Sequence, residues 1–219
     1  MDTRDFLVIR RAYNLVRKEC PRFMRLTFEE FATLCHLHLE DKPVGFSKIA
    51  KHQGAQRPTL TRRVNRLANL GFVVRTDSEE DKRVVFCGLT ERGEEIAQRI
   101  ISVMAANIEE GSFVDADSTK IMAAVDAIST MPCTAADLVM LVITLEEDNS
   151  TRVTRLVDQT GLLQPTVSMA VTSLEDAGYL RRAFERLDNI QPRRVVLEDA
   201  GRKRALELCE RVHSLELTH

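Results

Sequence analysis

The chain has 219 residues, 44% of them hydrophobic and 29% charged, with 31 Lys and Arg against 33 Asp and Glu and a formal net charge of -2. This is enough apolar material for one large or two small domains, and it excludes wholesale disorder. The overall charge offers no general attraction to nucleic acid, so any such role has to rest on a local patch. The five cysteines, Cys20, Cys35, Cys87, Cys133 and Cys209, are odd in number and never spaced as CxxC, which predicts a reducing, cytoplasmic setting rather than a disulfide framework. The opening MDTRDFLVIRRAYNLVRK is interrupted by charge too often for a secretory signal. No apolar run approaches the roughly 20 residues of a membrane helix, so no membrane contact is expected.

In chain order, residues 3–20 read as a helix with Phe6, Ile9, Tyr13 and Val16 on one side. Thr27 with Glu30 three residues on is a capping box, and Phe31, Leu34, Cys35 and His38 then follow helical spacing. A short helix over about 46–53 ends at Gly54. The next starts near Arg57, with Pro58 tolerated in its first turn. It buries Leu60, Val64 and Leu67 and ends at Gly71. Phe72 to Thr90 holds two β-branched or aromatic runs around a polar tip, a hairpin signal. Helices follow over 90–110, with Ile96, Ile100, Val103 and Met104, and over 115–131, with Ile121, Val125 and Ile128. Gly111 and Pro132 mark the joints.

From Thr134 the pattern returns at a constant offset of 107 residues. Thr27 meets Thr134, Leu34 meets Leu141, Gly54 meets Gly161 and Pro58-Thr59 meets Pro165-Thr166. Val64, Leu67, Gly71 and Arg75 meet Val171, Leu174, Gly178 and Arg182. These matches fall on glycines, the proline and core positions together, so chance is a poor explanation. Leu138, Leu141, Val142 and Leu145 give the first helix of this copy, 153–160 the second, and a third begins near Pro165 with Val167, Val171 and Leu174 inward. A less regular hairpin follows, and the register slips by one residue when Gly93 meets Gly201. Residues 198–217 close the chain as a helix carrying Leu206, Cys209, Val212 and Leu215.

Helix, helix, turn, helix and hairpin is a winged helix-turn-helix. The expected fold is mainly α with small β-hairpin wings: a tandem winged helix-turn-helix forming an intramolecular pseudo-dimer with a helical interface. The expected layout is an N-terminal interface helix (1–25), a first winged unit (26–93), connecting interface helices (94–132), a second winged unit (133–201) and a C-terminal interface helix (202–219).

On the third helix of the first copy, Thr59, Arg62, Arg63 and Arg66 lie off the apolar stripe, with Arg57 and Thr61 at its beginning. A helix fits the major groove of B-DNA, where arginine can donate two hydrogen bonds to guanine and threonine can touch a thymine methyl. Arginines further along would reach phosphates, adding affinity without sequence information. A solvated basic face would look the same from sequence, but these arginines sit on the one helix that this fold presents to DNA.

Pro58-Thr59-Leu60-Thr61-Arg62, Leu67 with Gly71-Phe72-Val73, Asp81-Lys82-Arg83 and Leu89-Thr90-Glu91-Arg92-Gly93 stand in an order and spacing that resembles the MarR family of bacterial regulators. The second copy matches through Pro165-Thr166-Val167-Ser168 and Leu174 with Gly178-Tyr179-Leu180, without a clean wing motif. The resemblance implies a dimer built on outer helices, which one chain with two copies could imitate as a monomeric pseudo-dimer or a weak homodimer. It implies that Arg83 enters the minor groove, oriented by Asp81, with Lys82 beside it. It also implies a small aromatic effector, for which Phe6, Tyr13, Phe23 and Phe28 could line a site, although each is more simply read as core. Gln56 and Leu163 stand where the family usually has a capping serine or threonine, and both are weaker caps.

The copies are not equivalent. Arg62, Arg63 and Arg66 correspond to Met169, Ala170 and Ser173, so the second recognition helix is neutral along this face. It keeps Thr166, Ser168 and Thr172, and its wing is the more cationic, with Arg193 and Arg194 as candidates for DNA contact. A double-stranded DNA partner is expected, with an asymmetric pair of half-sites or a second copy turned to structural or protein-binding work.

No enzyme is expected, because no phosphate-binding loop, GxSxG or HExxH is present. In Cys35-His36-Leu37-His38, Cys35 and His38 would share a helix face while His36 points elsewhere, and two ligands do not fill a tetrahedral site, so no metal or other cofactor is expected. A redox-sensing role for Cys20, Cys87, Cys133 or Cys209 is a side reading. The rival function is a tandem winged-helix adaptor that contacts proteins and binds little or no DNA.

Overall fold

The computed structural model describes residues 1–40, 42–77, 84–184 and 193–217. The chain divides into two compact units. The first unit holds residues 16–132 and 216–219, and the second holds 133–215 together with 1–15. No helix is long and apolar enough to cross a membrane among the described residues.

The chain begins with α1 (Thr3–Glu19). The first unit then runs through α2 (Phe28–Leu39), β1 (Val44–Gly45), α3 (Phe46–His52), α4 (Arg57–Asn69), β2 (Val73–Asp77), β3 (Val85–Leu89), α5 (Glu91–Ala106) and α6 (Ser118–Ser129). The capping box at α2 is formed: the Glu30 N–H donates to Thr27 Oγ1 at 3.2 Å and the Thr27 N–H donates to the Glu30 carboxylate at 2.7 Å. Gly54 leaves α3 at φ +57°, a left-handed conformation that a side chain would resist. Leu60, Val64 and Leu67 of α4 are wholly buried, as their spacing requires.

The hairpin pairs Val73 with Leu89 and Asp77 with Val85. A third strand, unforeseen from sequence, completes the sheet: β1 pairs Val44 with Cys87, giving the order β1-β3-β2. Two residues are too few to show a period-2 pattern. Helix α5 starts hard against the hairpin. A Cβ on Gly93 would stand 2.0 Å from the Phe72 carbonyl oxygen, so only glycine fits there. Helix α6 packs on α2 and α5 and is buried on all sides from Ile121 to Ser129, as expected of a helix without a polar face.

The second unit has the same order: α7 (Ala135–Thr144), β4 (Ser150–Arg152), α8 (Val153–Thr160), α9 (Gln164–Asp176), β5 (Leu180–Phe184), β6 (Arg193–Leu197) and α10 (Asp199–His213). Its sheet order is β4-β6-β5, the counterpart of the first. The weaker box of Thr134 and Asp137 also forms. Gly201 repeats the constraint at Gly93, with 1.9 Å left between a Cβ and the Tyr179 carbonyl oxygen. The N-terminal helix joins this unit: Arg11 Nε donates to the Asp158 carbonyl at 2.8 Å and Asn14 Nδ2 to that of Thr160 at 2.9 Å.

Three apolar side chains of the helices depart from the sequence reading. Leu206 is 58% exposed, because α10 turns Ala205 and Leu208 inward beside the expected Val212. Leu145 lies at the C-cap of α7 and is exposed there. Ala170, read as part of the outer face of its helix, is buried.

Candidate nucleic-acid interface

Helix α4 carries no acidic residue, and its buried stripe leaves Arg57 and Arg62 exposed. Thr59 and Thr61 are half-buried. The Thr61 hydroxyl donates to the Arg57 carbonyl at 2.8 Å, one turn back, so it is committed as a donor and free only to accept. Gln56 provides no side-chain cap, and neither does Leu163 at α9. The first N–H groups of α4 therefore have no side-chain partner at the N-cap, where a helix favours anions. Ser47, Arg57, Thr61 and Arg75 line a concavity of ≈ 160 Å³ between α3, α4 and the hairpin.

The remaining two arginines are drawn into the fold. Arg63 Nη1 donates to Gln53 Oε1 at 3.1 Å. Gln53 is buried and donates in turn to Thr33 Oγ1 at 3.1 Å and to the Glu29 carbonyl at 3.3 Å. Arg63 thus braces the turn between α3 and α4 against α2. Arg66 pairs through Nη1 with the carboxylate of Glu30 and donates from Nη2 to the Arg25 carbonyl at 2.8 Å. Glu30 is the same residue that caps α2, so Arg66 is a strut between α4 and the start of α2 rather than a free cation on its outer face.

One tie recurs in both units. Arg75 of β2 donates to Asn65 Oδ1 at 2.6 Å, and at the matching positions Arg182 of β5 donates to Thr172 Oγ1 at 2.9 Å. Arg182 also lies 2.8 Å from Glu175. Thr172 is therefore already engaged as an acceptor. Thr166 is half-buried and Ser168 exposed. Beside them Met169 is 74% exposed, so the outer face of α9 is neutral and partly apolar. Arg194 is committed to the sheet, donating from Nε to Ser150 Oγ at 3.0 Å and from Nη2 to the Ser150 carbonyl at 3.2 Å. The Arg193 side chain and the wing residues Asp81, Lys82 and Arg83 lie outside the described residues.

The aromatic residues separate by burial: Phe6, Tyr13 and Phe28 are core, whereas Phe23 is exposed. Cysteine burial corrects the redox reading for one residue. Burial pushes the Cys87 thiol up against the opposing pull of Arg75, the wrong direction for a reactive thiolate. Cys20, Cys133 and Cys209 are half-exposed.

Sequence reasoning missed a buried polar cluster. His38 pairs with Glu94, with Nδ1 2.9 Å from Oε2, and Cys35 is buried in the core. The imidazole that matters is His36, which the helical spacing turned away from Cys35 and His38. Its Nδ1 lies 3.4 Å from Asp126 Oδ2, and His52 Nε2 lies 2.9 Å from Asp126 Oδ1. The two rings stack with centroids 4.3 Å apart. The hydrogen bond to Asp126 raises the His52 pKa, against the effect of its burial. Burial alone would raise the Asp126 pKa, but the hydrogen bonds from both histidines outweigh it and hold the carboxyl below its ordinary value. The only sequence signal was an isolated aspartate in the otherwise apolar run of α6.

Comparison with a family model bears on the first unit. Residues 16–100 match the model of a family described as transcriptional regulator SarA/Rot, less than half of the chain. Among solved structures, the YusO protein from Bacillus subtilis is 22% identical, with a TM-score of 0.34 over 36% of this chain and 55% of that one. The transcriptional regulator BldR from Sulfolobus solfataricus is also 22% identical, with a TM-score of 0.38 over 44% of this chain and 65% of that one. The chain thus spans less than two thirds of the length of either structure. No curated protein sequence matches it.

Proposed function

We propose that the protein is a DNA-binding transcriptional regulator whose first unit reads DNA with α4 in the major groove. The observation that carries this is the acid-free face of α4, where Arg57 and Arg62 stand exposed while Leu60, Val64 and Leu67 hold the helix to the core. The match of residues 16–100 to a family of transcriptional regulators supports it, as does the resemblance of the sequence to MarR regulators. Arg57 and Arg62 meet base edges or phosphates, and the Thr59 and Thr61 methyls meet thymine. Arg83, oriented by Asp81 and flanked by Lys82, reaches the minor groove. Arg63 and Arg66 contribute by fixing the pose of the helix. A small-molecule effector belongs to this reading only through the family resemblance.

The second unit contacts DNA weakly, through Thr166 and Ser168 and through Arg193 of its wing, so the chain acts as an asymmetric stand-in for a dimer. The preferred site is then one strong half-site beside one weak one, rather than a palindrome.

The test is fluorescence anisotropy with short duplex DNA at two salt concentrations. The proposal expects a steep log–log loss of affinity with salt, because bound phosphates release counterions. Absence of binding at low salt would leave the adaptor reading in its place. Ser168→Glu sets a negative charge on the exposed face of α9, so it weakens binding if α9 lies near DNA and changes nothing if it does not.

A further inference from the structure

His36, His52 and Asp126 come from α2, α3 and α6 and meet inside the first unit, each offering one ligand atom within 4.8 Å of the other two. The side chains of His36 and Asp126 are 3% and 1% exposed, and that of His52 is 25% exposed. Two imidazoles share one carboxylate, His36 facing it through Nδ1, while its buried Nε2 has no hydrogen-bond partner among the described residues. A buried carboxylate shared by two imidazoles is a cluster that an ion can complete, because buried polar groups are almost always satisfied by protein, water or an ion.

The donor set identifies the component. Imidazole nitrogen with one carboxylate oxygen suits first-row divalent metals such as zinc, whereas calcium and magnesium prefer oxygen-rich cages. The spacing suits it as well. Ligands about 2.0–2.1 Å from a tetrahedral ion stand roughly 3.3 Å apart. Here His36 Nδ1 is 3.3 Å and His52 Nε2 2.9 Å from Asp126 Oδ1. The rings lie nearly parallel, at 18°, so one must turn to aim both lone pairs at a single ion. His52 has the room, being part-exposed and last in a helix of 7 residues.

We propose that His36, His52 and Asp126 bind one divalent transition-metal ion of the zinc type, with its remaining coordination open towards solvent beside His52, and that this ion tunes DNA binding. The consequence for DNA rests on the function proposed above, whereas the site itself does not. His52 is followed directly by Gln53, whose side chain joins Arg63 of α4 to Thr33 of α2. An ion held between α2, α3 and α6 therefore fixes the turn that sets the angle of the recognition helix.

The experiment is titration of the chelator-stripped full chain with Zn²⁺ by calorimetry and with Co²⁺ by visible absorption, followed by DNA anisotropy with and without Zn²⁺. One equivalent is expected to bind, with cobalt bands of a four- or five-coordinate nitrogen and oxygen site. His52→Ala, at a part-exposed position that leaves the core intact, is expected to weaken binding by about tenfold or more, which is a loss of about 1.4 kcal/mol. Lack of saturable one-to-one binding, or unchanged affinity in His52→Ala, overturns the site. Metal binding with unaltered DNA affinity keeps the site and overturns its regulatory role. Metal binding by a protein that holds no DNA at all rejects the function proposed above and leaves the site standing.

Discussion

Replacing Arg66 by alanine separates a cation that holds α4 in place from one proposed to touch DNA. Arg66 pairs with Glu30, whose side chain is 7% exposed, and also donates to the Arg25 carbonyl. Its loss strands a nearly buried carboxylate that keeps the Thr27 N–H of its capping box as a donor. Breaking a fully buried ion pair costs roughly 3–5 kcal/mol. The Arg66 side chain is itself 36% exposed, and water reaches part of the pair. Surface pairs are worth about 0–1 kcal/mol, so the expected loss lies between, at about 2 kcal/mol. For a unit of this size that lowers the melting temperature by roughly 8 °C. Arg62 has no such ties among the described residues and is exposed, so Arg62→Ala should stay within about 0.5 kcal/mol in stability. It should instead weaken DNA binding, by about 1–3 kcal/mol for a base contact, or lower the salt slope by about one for a phosphate contact. Urea unfolding and anisotropy on both variants read the two effects separately. If Arg66→Ala keeps its stability and loses DNA affinity, Arg66 leaves Glu30 for DNA and the strut argument fails.

Gly93→Ala should destabilise by more than the roughly 1–3 kcal/mol of ordinary overpacking, because its Cβ would meet the Phe72 carbonyl at 2.0 Å. Gly54→Ala, where nothing lies within 4 Å, should cost only the roughly 1–2 kcal/mol of a left-handed residue, and comparable losses in thermal unfolding would contradict this packing. Timed iodoacetamide labelling with mass spectrometry should modify Cys20, Cys133 and Cys209 well before Cys35 and Cys87, whose thiols burial pushes up; prompt labelling of Cys87 would show that the first sheet opens. Hydroxyl-radical footprinting should protect one half-site strongly and its neighbour weakly, and equal protection of both would contradict the inequality of α4 and α9.

The elements legible in the sequence are those written in local chemistry. The capping boxes at Thr27 and Thr134, the positive-φ turn at Gly54 and the stripes of Leu60, Val64 and Leu67 depend on residues three or four apart, so spacing alone locates them. The repeat added a second reading of each and exposed the lost arginines of α9. Its limits were equally local: the two-residue β1 is shorter than any period, and α10 turns a face one residue away from Leu206.

What the tertiary structure decided is how each polar side chain is spent. The sequence showed Arg62, Arg63 and Arg66 as one cationic row, but partners 10 and 36 positions away take two of them inward. His36 and His52 meet Asp126 across separations of 90 and 74 residues. A helical period states which face a residue shares, and it holds no information on what another helix brings opposite that face. Charge and pattern were therefore determined by the sequence, while availability for DNA and the grouping of two histidines on one carboxylate were settled by the packing of distant helices.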